Sequence, residues 1–225
     1  MPTKLASFPG LTGNQLKLLA MITMTIDHIG VQLLPQYHIL RMIGRLAFPI
    51  YAYLIAEGCA HTRDRRRYLL QMGGMALLCQ LVYFFAMGSL YQCILVTFTL
   101  SILLIYAIDS GSPLLGAGMF LVVLFLTGFL PNRLPGFYID YSLWGVLTPV
   151  AVYLGRNKRE KLLFCGIFLA LLAAAHSGFT QWLGLLSLIP LTLYNGKRGK
   201  ARIKWFFYLY YPIHLVAIYA IDLLI

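Results

Sequence analysis

Residues 17–30 read KLLAMITMTIDHIG. Lys17 opens the stretch, and the apolar run behind it continues to Leu34. Roughly 20 such residues cross a bilayer as a helix. Near the far end of this run stand Asp27 and His28, side by side. An ionisable group at membrane depth costs roughly 2.5–3.5 kcal/mol on insertion scales, so it needs a partner, water or a task.

Comparable apolar segments recur along all 225 residues, of which 60% are hydrophobic and 11% charged. The mean hydropathy is +0.78. A water-soluble domain has neither that apolar share nor so few charges. The pattern predicts an all-α polytopic membrane protein with spans at 16–34, 40–60, 68–87, 93–109, 114–130, 138–155, 161–176, 180–194 and 205–224. Turn chemistry marks the breaks: Pro35, Gly88-Ser89, Ser110 to Pro113, Pro131 to Gly136, Ser177-Gly178 and Asn195-Gly196. Residues 1–225 read as a single transmembrane domain, because no polar stretch is long enough to link two. No cleaved signal peptide is expected, since no small-residue cleavage site follows the first apolar run.

The net charge of +11 has a topological reading. With the N-terminus in the cytoplasm, fifteen of the eighteen Lys and Arg fall on the inner side, from Lys4 and Lys17 through the runs at 63–67, 156–161 and 197–204. Arg41, Arg45 and Arg133 fall outside. This is the positive-inside bias, with anionic membrane lipids as partners. A nucleic-acid role is excluded: no soluble module or basic surface interleaved with aromatics is present. Cys59, Cys79, Cys93 and Cys165 lie inside apolar segments without metal-ligand spacing, so buried thiols are expected and no metal. Pro49, Pro149, Pro190 and Pro212 are expected to kink their spans.

Depth brings the rare polar residues together. His28 lies eleven residues past Lys17, and His214 ten past Lys204. At 1.5 Å per residue both sit roughly 15–16 Å from the inner surface, near the midplane, which suggests a shared polar cavity. Asp27 faces away from His28, about 100° around the helix. Arg45, on one face with Arg41, matches its depth from the outside. Two readings of Asp27 with Arg45 stand: a staple between the first two spans, or a pair that orients His28. Glu57 near the inner end is expected to pair with Arg63 or to face a cytosolic vestibule.

A midplane histidine beneath a basic inner face suits an activated acyl donor with a phosphorylated handle. Histidine is a competent general base, and arginines grip phosphates. The handle then rests at the basic inner face, among Arg63, Arg66, Arg67, Lys197 and Arg198 of the 63–67 and 197–202 runs, and its thioester reaches toward the histidine. The acceptor is an amine or hydroxyl: a peptide N-terminus, a sugar or a small amine. No Walker, HExxH, GxSxG or dinucleotide motif occurs. A proton-coupled transporter or channel using Asp27, His28, Arg45 and His214 is the rival reading, and a non-catalytic assembly factor a second.

The stretches LKLLAMITMTIDHIG, LRMIGRLAFPIYAYLIAEGCAHTRDRRRYLL and LYNGKRGK with KWFFYLYYPIHL resemble the TraX family, from about Leu16 to Tyr219. The resemblance implies an acyltransferase of the bacterial cytoplasmic membrane, since founding members are associated with N-terminal acetylation of conjugative pilin. TraX proteins in turn resemble the transmembrane acyltransferases that include the acyltransferase-3 family and the lysosomal heparan-glucosaminide acetyltransferase. Lys17, ten residues and His28 match that group's first-span pattern, which implies a catalytic His28 with Lys17 beside the chemistry. Arg63 and Arg66 match its RxxR pattern, which implies a role with the acyl donor, acetyl-CoA or another acyl-CoA. In YYPIH the proline precedes His214, whereas the group's pattern places it after the histidine.

Overall fold

A computed structural model describes residues 10–176, 178–200 and 204–224. Lys4 and Arg202 of the basic set, and Ser177 of one break, lie outside them. The helices are α1 (Gly13–Gln32), α2 (His38–Gly44), α3 (Ala47–His61), α4 (Arg65–Met87), α5 (Ile94–Asp109), α6 (Pro113–Leu124), α7 (Ser142–Leu154), α8 (Lys158–Ala175), α9 (Leu188–Thr192) and α10 (Lys204–Asp222). A π-turn and a 3-10 turn carry α6 on to Asn132, and a 3-10 run from Phe179 to Ser187 leads into α9. Counting α2 with α3, the described residues form nine rods, each within a few residues of an expected segment. Two residues each of β1 (Tyr91–Gln92) and β2 (Tyr138–Ile139) pair in parallel.

Local chemistry sets the ends. Thr12 caps α1 in a box with Gln15, Asp64 accepts from the Arg67 amide to start α4, and Asn157 caps α8. Gly88 ends α4 in the left-handed region that glycine favours, at φ 60°. The expected kinks are partly redistributed. Pro149 and Pro212 lie inside α7 and α10. Pro49 and Pro190 instead occupy the first turns of α3 and α9, where a missing N–H is harmless. The break belonging to Pro49 falls at Arg45–Leu46, because its ring excludes the residue-45 carbonyl from a regular helix. The backbone tightens there, with Arg45 N–H on Met42 and Leu46 N–H on Ile43.

Three rods, His38–His61, Arg65–Phe85 and Pro113–Asn132, are long and apolar enough to cross a membrane, at 24, 21 and 20 residues. Each spans about 30 Å or more at 1.5 Å per residue, the thickness of a hydrocarbon core. The α4 and α6 faces turned away from the bundle carry Leu70, Leu77, Phe85, Leu114 and Leu121, all exposed. The core is built on α3, α5 and α7, around Tyr53, Ile50, Ile102, Ile105, Val146 and Val152.

Polar contacts define two ends of the bundle. At one, Gly13 and Asn14 of α1 donate backbone N–H to the Lys197 and Arg198 carbonyls. There too Glu57 of α3 meets Lys161 of α8 at 2.5 Å, and Arg65 of α4 meets Asp109 of α5 at 2.6 Å. Asp109 also accepts from Tyr153 at the end of α7. At the opposite end Gln32 of α1 donates to Asp222 of α10, β1 pairs with β2, and Tyr138 bonds His176. Consecutive rods therefore run in opposite directions, and the described parts of the basic runs gather at one end. Glu57 takes Lys161 as its partner and not Arg63, with His61 at 3.9 Å. The α3–α8 packing decides this, because Arg63 lies beyond the end of α3 and is exposed.

Candidate functional site

His28 and His214 meet. The Nε2 of His214 lies 3.1 Å from the Nδ1 of His28, with ring centroids 4.9 Å apart. Each Nδ1 also lies 3.0 Å from the carbonyl one turn back in its own helix, Met24 for His28 and Tyr210 for His214. A carbonyl oxygen only accepts, so each ring carries its hydrogen on Nδ1. The His28 Nδ1–H then forks between Met24 and the lone pair on His214 Nε2. What remains is the lone pair on His28 Nε2, which has no hydrogen-bond partner among the described residues. A neutral imidazole held this way is a general base with its orientation fixed.

Tyrosines hold the second ring. Tyr210 stacks on His214 at 5.1 Å and 7°, and its hydroxyl lies 2.7 Å from that of Thr25 on α1. Tyr211 meets both histidines edge-on, at 6.4 Å from His28 and 5.4 Å from His214. These supports were invisible as site residues in the sequence. Their one signal is spacing: Tyr210 stands four before His214, and Thr25 three before His28, one helical turn each.

Asp27 faces the other way, as its 100° offset requires. Its carboxylate lies 2.8 Å from the Arg45 guanidinium and 3.6 Å from that of Arg41. Arg45 is 8% exposed, and its other contacts are the Arg41 carbonyl and the Tyr141 hydroxyl. Asp27 makes no hydrogen bond to His28. The pair joins α1 to the α2–α3 break, and its link to His28 runs through one peptide unit. Gly44 allows the approach: a Cβ there would stand 2.2 Å from the Asp27 carboxylate. Tyr141 lies in the left-handed region at φ 58° and stacks on Phe48 at 4.1 Å. Such backbone strain in a non-glycine residue persists only where its surroundings over-determine it.

An apolar cavity of about 260 Å³ runs among α1, α3, α4, α5 and α10. Lys17 and Arg198 line it on the basic side, Met72 and Phe98 along its wall, and Met24 and Tyr211 toward the histidines. Ten residues between Lys17 and His28 rotate the second to within roughly 20° of the first, so Lys17, Met24 and His28 share a face of α1. The expectation of a cavity shared by both histidines needs correction. Neither ring lines it; Met24 and Tyr211, which touch His28, stand between.

The predicted phosphate-holding residues divide. Arg198 reaches the cavity, and Lys17 beside it lies over the Phe207 ring at 5.7 Å. Lys197 contributes its carbonyl to the start of α1 and is otherwise exposed. Arg63, Arg66 and Arg67 are exposed beyond α3 and at the start of α4, and none lines the cavity. Their neighbour Arg65 is the engaged one, on Asp109 and over the Tyr106 ring at 5.2 Å.

The TraX protein family model matches residues 12–222. The "Probable fimbrial assembly protein FimC, serogroup H1" of Dichelobacter nodosus is 26% identical over 224 residues, covering 89% of this chain and 91% of that protein. An uncharacterized protein of Rickettsia prowazekii is 55% identical over 38 residues, 17% of this chain and 15% of its own length. No solved structure matches. A family match that takes in α1 through α10, with both histidines and the basic end inside it, means that the chain belongs to the TraX family.

Proposed function

We propose that this protein is a multi-pass acyltransferase of the bacterial cytoplasmic membrane, with its N-terminus and basic end in the cytosol. It moves an acetyl group, or a related short acyl group, from acyl-CoA to an amine or hydroxyl acceptor. The observation that carries the reading is the α1 face on which Lys17, the cavity wall at Met24 and the base His28 stand in line. Phosphates of the donor rest against Lys17 and Arg198, the thioester arm enters between apolar walls, and movement of the Met24 or Tyr211 side chain opens the last stretch from the cavity to Nε2 of His28.

In direct transfer, His28 Nε2 takes the proton of the acceptor as its nitrogen or oxygen attacks the thioester carbonyl. The carbon–sulfur bond breaks, and the proton passes to the departing CoA thiolate. The imidazolium formed in between keeps its Nδ1–H on His214, which spreads the charge into a second ring. A ping-pong route would put the acyl group on Nε2 itself and release CoA before the acceptor enters. The fimbrial name of the Dichelobacter relative supports a pilin-type N-terminal amine as acceptor.

The test is acetyl-CoA binding and thioester turnover by purified protein, compared with His28→Ala and a Lys17→Ala/Arg198→Ala variant. Wild type that binds and slowly turns over, His28→Ala that binds without turnover, and a basic-mouth variant that binds weakly are expected. General-base loss lowers rates by roughly 10²–10⁴. Proton-coupled flux in proteoliposomes with no acyl-CoA binding in any variant would overturn the reading in favour of a transporter.

A further inference from the structure

A second cavity, of about 470 Å³, opens on the basic side of the bundle. Its size falls within the range of small-molecule sites. It is lined by Tyr53 and Glu57 of α3, by Arg156, Lys158 and Lys161 around the start of α8, and by Tyr194 to Gly196. Its charges do not cancel. Lys161 is matched by Glu57 at 2.5 Å. Lys158 donates to the Thr192 and Tyr194 carbonyls at 2.6 and 2.7 Å, neutral acceptors that leave its charge uncompensated. The Arg156 side chain has no partner among the described residues and is exposed. The Glu160 carboxylate, which accepts from the Arg156 backbone N–H and the Asn157 amide, lies beside the mouth without lining the space. Arg156, Lys158 and Lys161 against Glu57 and Glu160 still leave it net positive, with one charge on the planar fork that suits phosphate best.

The two cavities adjoin. Leu54 and Gly58 of α3 line the first, and their chain neighbours Tyr53 and Glu57 line the second. The 194–198 segment divides them likewise, with Tyr194, Asn195 and Gly196 on one side and Arg198 on the other. Backbone bonds tie this divider to the start of α1: Asn195 N–H to Leu11, Leu11 N–H to Leu193, and Gly13 N–H to Lys197. Gly196, at φ 73° with open space where a Cβ would stand, leaves its rim low.

We propose that the second cavity holds the phosphorylated nucleoside end of the acyl donor, with Arg156 and Lys158 on its ribose phosphate monoester. The pantetheine arm bends over the 194–198 segment into the first cavity. The inference rests on the acyl-CoA reading above and adds the place and the residues of the nucleotide. The acyl-CoA reading does not require it, because Lys17 and Arg198 already serve the mouth of the first cavity.

The experiment is a binding cycle in phosphatidylcholine nanodiscs. Acetyl-CoA and acetyl-dephospho-CoA, which lacks the ribose phosphate, are each titrated against wild type and Arg156→Ala. A charged hydrogen bond to phosphate predicts about tenfold weaker binding of acetyl-CoA by the variant, and of the dephospho analogue by wild type. The variant should then discriminate less between the two ligands, with Lys158 carrying the preference that remains, because a cycle isolates the contact between the two groups removed. Arg156→Ala should melt with wild type, as its side chain holds no other group. Unchanged acetyl-CoA affinity in the variant overturns the inference and leaves the acyltransferase reading standing. Phosphatidylglycerol that competes with acetyl-CoA through Arg156, with equal affinity for the two CoA ligands, assigns the cavity to a lipid headgroup and also overturns it. Wild type that binds neither ligand overturns both.

Discussion

Replacing Gly44 by Ala tests how closely α1 and α2 approach at the Asp27–Arg45 pair. An added Cβ would stand 2.2 Å from an Asp27 carboxylate oxygen, 2.3 Å from its Cβ and 2.5 Å from its Cγ. Swinging the carboxylate away relieves the first and third contacts but not the second, because the Asp27 Cβ is fixed to the α1 backbone. One helix must therefore shift by about 1 Å or more to restore ordinary contact. That shift lengthens a 2.8 Å ion pair in which Arg45 is only 8% exposed. Overpacking a tight site costs about 1–3 kcal/mol, and opening a buried pair about 3–5 kcal/mol. Partial relaxation places the sum near 3 kcal/mol, a fall of about 6–12 °C in melting temperature for a chain of this size. Thermal unfolding of purified protein in one detergent, followed by tryptophan fluorescence, gives the number. Asp27→Gly should cost less in the Gly44→Ala background than in wild type, since there it also removes the side-chain atoms of the clash. Gly44→Ala melting with wild type would refute the close approach of α1 to α2, and with it the pair that fixes the backbone beside His28.

Other outcomes follow from the same geometry. His214→Ala should lower thioester turnover about 10- to 100-fold with little change in acetyl-CoA affinity, because it frees the His28 ring without touching the cavity; equal loss of binding and turnover would count against a positioning role. Glu57→Gln strands Lys161, whose side chain is 17% exposed, and should cost about 2 kcal/mol, less than for a fully buried pair; adding Lys161→Met should recover it, read by the same melting assay. Met75→Trp fills the first cavity from its α4 wall and should abolish acetyl-CoA binding while the fold survives; undiminished binding would place the donor elsewhere.

Much of the architecture was legible in the chain. Helix is the structure a long apolar segment adopts without water to satisfy its backbone, so the apolar runs and their Pro, Gly and Asn punctuation located the rods to within a few residues. Charge bias grouped the basic runs, and matched depth paired His28 with His214 and Asp27 with Arg45. Each of these depends on distance along a single helix, which sequence fixes at 1.5 Å per residue.

Which helix faces meet was settled by packing between segments far apart in the chain. Glu57 turned to Lys161 because α3 packs on α8, a choice no spacing encodes. Among neighbouring arginines, Arg65 was engaged while Arg63, Arg66 and Arg67 stayed outside, since one residue changes the helix face by about 100°. The first cavity also lies nearer the basic end than the histidines do, with Tyr211 and Met24 between it and the rings. Depth is a property of one helix and can be counted from its sequence. A cavity is what several helices fail to fill, and it exists only once they have packed.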